Sequence, residues 1–231
     1  MRVVTWNLER TPASSREGGM AAEHLRKLEA DLMILTEART EHLGEGFHHV
    51  DAGPTGTGHL HEGERKVVIA SRWPISSARI DLEVSTPGRF VSSTVEAPEG
   101  SVNVVGICIP WFASRVRIGK ATNREDHRTF LLALSPVLEE LAKTPCLVAG
   151  DFNQRIPQRR QPREMADLLE NTFKGFAIPT SGERTETGRK LIGHIALSAG
   201  LKCREVMAWS GTIDGKKVSD HDGVMVECSL Q

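Results

Sequence analysis

Tyrosine is missing from this chain of 231 residues, and aromatic residues of all kinds make up only 5% of it. The core must therefore be aliphatic, built from Leu, Val, Ile and Ala. Cysteine is scarce: Cys108, Cys146, Cys203 and Cys228 form no C-x-x-C pair, and three of the four sit among apolar residues. That pattern argues against a disulfide framework or a structural zinc and for buried free thiols. No apolar run is long enough to span a membrane, and the opening MRVVTWNLE carries no secretory signal. A cytoplasmic, reducing location without a membrane anchor is the expectation. Neither a Walker-type G-x-x-x-x-G-K-[ST] nor a strand-linked G-x-G-x-x-G occurs, which sets nucleotide-cofactor folds aside.

The composition that remains is that of a globular chain. Hydrophobic residues make up 39% and charged residues 26%, enough for a sizeable core. The length suits one large domain or two small ones. Net charge is -1, but it is unevenly spread. Residues 1–110 carry 11 Lys and Arg against 15 Asp and Glu, and residues 111–190 carry 14 against 10. The middle stretch can supply cations to an anionic substrate. Chance clustering on a solvated surface is the competing reading.

Short apolar runs dominate the chain. Strands are expected at Arg2–Trp6, Asp31–Thr36, Val67–Ala70, near Ile80–Val84, and at Phe90–Val95, Val102–Ile109 and Cys146–Ala149. Three more are expected at Leu191–Leu197, Glu205–Ser210 and Gly223–Cys228. Helical spacing predicts helices over Ala21–Ala30, Asn123–Lys143 and Glu164–Glu170, the second kinked or restarted at Pro136. Asp51–Gly63, rich in Gly and His, is expected to be a loop. Four strands in succession between Val67 and Ile109 rule out strict strand–helix alternation, so the class is α+β or α/β and not a doubly wound sheet.

Polar residues stand at the ends of these strand runs. Asn7 and Glu9 follow the first, Glu37 the second, and Asp151 and Asn153 follow Cys146–Ala149; Asp220 and His221 precede the last. Each one singly is explained by a turn or a solvated acid. Together, carboxylates and amides without a thiol compose a hard oxygen site suited to Mg²⁺ or Mn²⁺. A His beside an Asp adds a general acid or base, or a cation for a phosphoryl oxygen. Such a set can direct water at a phosphate ester.

Five blocks of sequence resemble one family. Thr5-Trp6-Asn7-Leu8-Glu9 looks like the first motif of the endonuclease/exonuclease/phosphatase superfamily, and Ile34-Leu35-Thr36-Glu37 looks like the second. Ser71-Arg72-Trp73-Pro74-Ile75 is similar to its S-R-x-P-I stretch, Gly150-Asp151-Phe152-Asn153 to its G-D-F-N, and Ser219-Asp220-His221 to its terminal S-D-H. The order fits, and the matches span nearly the whole chain. The resemblance implies one domain over residues 1–231, a four-layer sandwich of two mixed β-sheets packed face to face with helices outside. It also implies roles. Glu37 would be the main metal ligand, helped by Glu9 and Asp220. Asp151 would orient or activate water, Asn153 and Asn7 would hold the phosphate and the catalytic groups, and His221 would bind or protonate a phosphoryl oxygen.

Two departures stand out. The family usually reads I-D-H-I or I-D-Y-I where this chain has Ile192-Gly193-His194-Ile195, and that Asp normally pairs with the catalytic His. Either another acid such as Asp214 or Asp222 supports His221, or activity is weakened. Cys108 also stands near where the family often places a Tyr or His that contacts phosphate.

Further candidates for substrate contact are Trp111 by stacking, Arg124 and His127 at the start of the long helix, Arg155 just after G-D-F-N, and Arg89. Packing, an ordinary polar first turn and a solvated basic loop are the respective competing readings. The nearby Arg159, Arg160 and Arg163 belong with Arg155, and His59-Leu60-His61 lacks a third ligand for a metal. The expected function is Mg²⁺-dependent phosphodiester hydrolysis, with DNA or RNA as substrate. A small or lipid phosphoester, or a phosphate-binding module weakened by Gly193, remains as an alternative.

Overall fold

The computed structural model describes residues 1–54, 63–80, 82, 87–111, 123–157 and 162–231. The first half of the chain forms β1 (Arg2–Asn7), α1 (Arg16–Lys27), β2 (Leu32–Arg39), β3 (His48–Asp51), β4 (Glu64–Ser71), β5 (Ile75–Arg79), β6 (Phe90–Ala97) and β7 (Gly100–Cys108). The second half forms α2 (Asn123–Leu141), β8 (Cys146–Asp151), α3 (Arg163–Thr172), β9 (Phe176–Ala177), β10 (Gly193–Ser198), β11 (Leu201–Trp209), β12 (Thr212–Ile213), β13 (Lys216–Lys217) and β14 (Gly223–Leu230).

Two six-stranded sheets result, in the orders β11-β14-β1-β2-β4-β3 and β5-β6-β7-β8-β10-β9. Each is mixed: β1 runs parallel to β2 and β7 parallel to β8, while the other pairings are antiparallel. The apolar runs explain the layering. Both faces of the central strands are buried, so alternate residues feed two different cores. Val3, Ile34, Val67 and Ile69 meet Val104, Leu147, Ala149 and Ile195 between the sheets. Val4, Trp6, Met33, Leu35 and Val68 face outward onto Ala21 and Leu25 of α1. On the other side Val105, Ile107 and Val148 face Phe130, Leu134 and Leu138 of α2 and Leu169 of α3. The expected four layers of helix, sheet, sheet and helix are therefore present. Between the sheets, a Cβ on Gly106 would lie 2.6 Å from Val67 Cγ1, so only glycine fits.

Several boundaries differ from expectation. Helix α1 begins at Arg16 because the Ser15 side chain accepts from the Gly18 N–H at 3.0 Å and caps it. The strand expected near Ile80–Val84 falls, except for Ile80 and Leu82, outside the described residues; a strand forms just before it at Ile75–Arg79, directly after Pro74, where Ile75 and Ser76 pair with Val95 and Thr94. Helix α2 runs on through Pro136. The buried stripe of Phe130, Leu131, Leu134 and Leu138 offsets the one backbone bond that the proline removes. Edge strand β3 was not expected, because His48-His49 gives it no apolar alternation.

Candidate active site

The ends of β1 and β8 belong to different sheets, and the two-sheet packing brings them together. Asn7, the last residue of β1, donates from Nδ2 to Asp151 Oδ2 at 3.1 Å; both side chains are buried. Asp151 is placed by its neighbour. Gly150 has φ +142°, and a Cβ there would come 1.8 Å from the Ile107 carbonyl oxygen, so G-D-F-N needs its glycine to let β8 end this way. Asn153 then turns back in the left-handed region (φ +53°). Its N–H donates to Asp151 Oδ1 at 2.9 Å, and its Nδ2 donates to Asp151 Oδ2 at 3.2 Å and to the Ile109 carbonyl at 2.8 Å.

The S-D-H block leads into β14, the strand beside β1. Ser219 Oγ donates to the Asn7 carbonyl at 2.7 Å and accepts the His221 N–H at 3.1 Å, while Trp6 Nε1 donates to the His221 carbonyl at 2.9 Å. His221 Nε2 consequently stands 3.4 Å from Asp151 Oδ2, and its Nδ1 bonds Asp220 Oδ1. Three nitrogens, from Asn7, Asn153 and His221, thus converge on one carboxylate oxygen. Burial on its own lowers the His221 pKa, but the hydrogen bond and charge of Asp151, reinforced by Asp220, outweigh it and push it up to about 9.

Asp220 is therefore the acid on Nδ1, and neither Asp214 nor Asp222 takes that place. Asp222 accepts the Gly211 N–H at 3.0 Å and pairs with Arg189 Nε at 3.3 Å. Asp214 sits in the left-handed turn between β12 and β13 (φ +49°), where Asp-Gly is favoured. Gly193 lies opposite Asp151 in the β8–β10 register. A narrow cleft lined by Asn7, Gly150, Asp151, Gly193, His221 and Asp222 adjoins it.

The carboxylates expected to hold metal are near cations. Glu37, at φ +47° near the end of β2, accepts from Lys66 Nζ at 2.6 Å and pairs with Arg10 Nε at 3.2 Å. Glu9 accepts the Asp220 N–H at 2.8 Å and pairs with Lys217 at 3.3 Å. Among the described residues no three His, Cys, Asp or Glu side chains are grouped to enclose a metal. The donor chemistry still fits Mg²⁺ or Mn²⁺, because Mg²⁺ keeps several waters and takes only one or two carboxylates from protein. Glu37, Glu9 and Asp220 are the carboxylates expected from the sequence to hold it.

Other expected contacts divide. Trp111 is 51% exposed, two residues after Ile109, whose carbonyl binds Asn153. Arg155 is exposed two residues beyond Asn153. His127 cannot serve as a phosphate contact through its ring. It is fully buried, with Nδ1 donating to the Pro110 carbonyl at 2.6 Å and Nε2 accepting from the Gln154 amide at 2.7 Å. Burial depresses its pKa, against the pull of the Pro110 bond. Arg89 donates to the Cys108 carbonyl at 3.1 Å, and burial pushes the Cys108 thiol up to about 12. The side chain of Arg124, together with His59, His61, Arg159 and Arg160, lies outside the described residues; Arg163 pairs with Asp167 on α3. Lys66, Arg10, Arg189 and Gln154 were not singled out from the sequence. Lys66 alone leaves a trace there, as a cation directly abutting the apolar run Val67–Ala70.

The family's sequence profile matches residues 4–221. The chain belongs to the endonuclease/exonuclease/phosphatase family. Its members are metal-dependent phosphoric ester hydrolases, and the chain is an enzyme of that kind. No curated protein matches it significantly. Solved structures similar to the whole chain include an endonuclease/exonuclease/phosphatase from Beutenbergia cavernae, at 20% identity, TM-score 0.68, and 71% of that chain covered. An AP endonuclease from Archaeoglobus fulgidus is 16% identical with TM-score 0.74, and both chains are covered in full. A 3′ phosphatase from Neisseria, bound to a product DNA hairpin, is also 16% identical, with TM-score 0.71 and full coverage of both. At these identities the likeness speaks to the fold. No helix among the described residues is long and apolar enough to cross a membrane.

Within this family architecture the buried His194 braces the loop behind the site. Its Nε2 donates to the Gln154 carbonyl at 3.1 Å, and its Nδ1 accepts from Thr180 Oγ1 at 3.0 Å. Burial, opposed by hydrogen bonds and by Asp151, drives its pKa down to about 4. The folded pKa lies below the unfolded value, so the stabilisation is complete above about pH 6.5 and is lost as pH falls through about 4. Between those limits the loss should reach on the order of 3 kcal/mol. Urea unfolding at pH 7 and pH 4 should show a smaller acid penalty in His194→Gln than in the parent. Equal penalties would mean that His194 charges without cost in the fold.

Proposed function

We propose that the chain hydrolyses phosphodiesters of DNA or RNA with Mg²⁺ or Mn²⁺. The observation that carries this reading is the convergence of Asn7, Asn153 and His221 on Asp151 Oδ2. Asp151 orients the attacking water. Asn7 and Asn153 hold the carboxylate in place, and Asn7 offers the second hydrogen of its amide to the phosphate; both amide hydrogens of Asn153 go to Asp151 and the Ile109 carbonyl. His221, gripped through Nδ1 by Asp220, presents its Nε2–H to a phosphoryl oxygen. Glu37, Glu9 and Asp220 would hold the metal, whose chemistry is to offset charge on the phosphoryl group. The cationic balance of residues 111–190 supports a polyanionic substrate, with Arg155 and Trp111 at its approach. The DNA hairpin bound by the Neisseria phosphatase is in keeping with that choice.

A panel of plasmid DNA, single-stranded DNA, RNA, abasic duplex, bis-p-nitrophenyl phosphate and a phosphoinositide, each with and without EDTA, tests the reading. EDTA-sensitive turnover of a nucleic acid is expected. Turnover confined to the small ester or the lipid would move the substrate to that class, and binding without any turnover would favour a phosphate-holding module.

Gly193 is the observation that favours such a module. A side chain opposite Asp151 would emerge beside it, and the Cβ itself has room, with the Gly150 carbonyl oxygen 3.4 Å away. Because Asp220 already holds Nδ1, Gly193→Asp should change kcat by less than about threefold, unlike the removal of a sole orienting acid. A tenfold rise would show that Asp220 fails as a support.

A further inference from the structure

Lys66 is a cation in a place that gives it little water. The residue is only 6% exposed, and among the described residues Glu37 is the one acceptor for its ammonium, at 2.6 Å. The β2–β4 register puts the two opposite each other, flanked by Thr36↔Val67 and Ala38↔Arg65. The other oxygen of Glu37 faces Arg10, which is shared with Glu64 at 3.2 Å. Glu37 therefore already carries a positive group on each oxygen. A desolvated ammonium cannot give up its only carboxylate cheaply, and a divalent cation brought to the same carboxylate would meet its charge at short range.

We propose that Lys66 competes with the divalent metal for Glu37 and keeps the metal-free site charge-balanced and its metal affinity low. This rests on the reading of Glu37 as metal ligand. The consequence is coupling: an anionic phosphate entering the site supplies the negative charge that Lys66 otherwise opposes, so metal and phosphate bind better together than apart.

Titration of Mn²⁺ into the full chain, followed by the EPR signal of free Mn²⁺, tests this without turnover. Lys66→Met, close in length but uncharged, should bind Mn²⁺ at least about tenfold more tightly than the parent. Lys66→Gln should do the same, and serves if the Met variant does not fold. Adding inorganic phosphate should tighten Mn²⁺ binding more in the parent than in either variant. Equal or weaker binding in both variants, with binding still lost in Glu37→Gln, would overturn the role of Lys66 and leave Glu37 as the ligand. Unchanged binding in Glu37→Gln would remove Glu37 as the ligand, and the competition with it.

Discussion

Asp151→Asn should lower kcat by about a thousandfold, within the range seen when a positioned acid–base group is lost. The two carboxylate oxygens have distinct jobs: Oδ1 accepts the Asn153 N–H, and Oδ2 faces three nitrogens, from Asn7, Asn153 and His221. An amide cannot do both. If its oxygen takes the Oδ2 position, its NH₂ points at the Asn153 N–H. If it is flipped, the NH₂ meets three nitrogens. Neither orientation leaves an anionic oxygen for water, and either leaves a buried group unsatisfied. The loss should fall on kcat with KM little changed, because the carboxylate acts on water and not on ground-state substrate. A variant that keeps more than a tenth of parental kcat would mean Asp151 is structural.

His221→Gln should cost about a hundredfold or more in kcat, the scale of losing a preorganised donor to a developing charge. His221 lies between Asp151 and Asp220, is mostly shielded from solvent, and has its pKa pushed up to about 9. It therefore brings a held positive N–H rather than a free base at neutral pH. If that N–H binds a phosphoryl oxygen, the loss should be the same for a p-nitrophenyl ester, whose leaving group needs no proton, as for a natural phosphodiester. A loss seen only with the natural ester would reassign His221 to the leaving oxygen.

The parts of this architecture that could be read from sequence are those where local pattern and burial agree. Runs such as Val67–Ala70 and Cys146–Ala149 are buried on both faces, so their composition announces strands with no help from tertiary context. The strand ends carry the chemistry, and G-D-F-N, S-D-H and T-W-N-L-E are each contiguous in the sequence, so each is legible without the packing that brings them together. Trp6 illustrates the limit. Its motif marks it, but only the sheet packing reveals that its indole N–H holds the His221 carbonyl.

What stayed hidden depends on residues far apart in the chain. His127 begins an amphipathic helix and has the look of a surface residue, yet it is buried between Pro110 and Gln154. Asp220 and Asp222 both flank His221 in sequence, and the sequence points to Asp214 or Asp222, not Asp220, as its support. Arg189, 33 residues upstream of Asp222, holds that side chain away from His221. Lys66 and Glu37 are brought opposite each other by strand register alone, and β3 forms because β4 offers it an edge and not because His48-His49 favours a strand.

A crystal of the parent protein soaked with Mn²⁺ and inorganic phosphate tests most directly whether these strand ends make one phosphate-handling centre. The phosphate should settle within hydrogen-bond reach of Asn7 and His221, with Mn²⁺ on Glu37. Phosphate found elsewhere on the molecule, with Asp151 still enclosed by its three nitrogens and Glu37 still bound to Lys66, would contradict it.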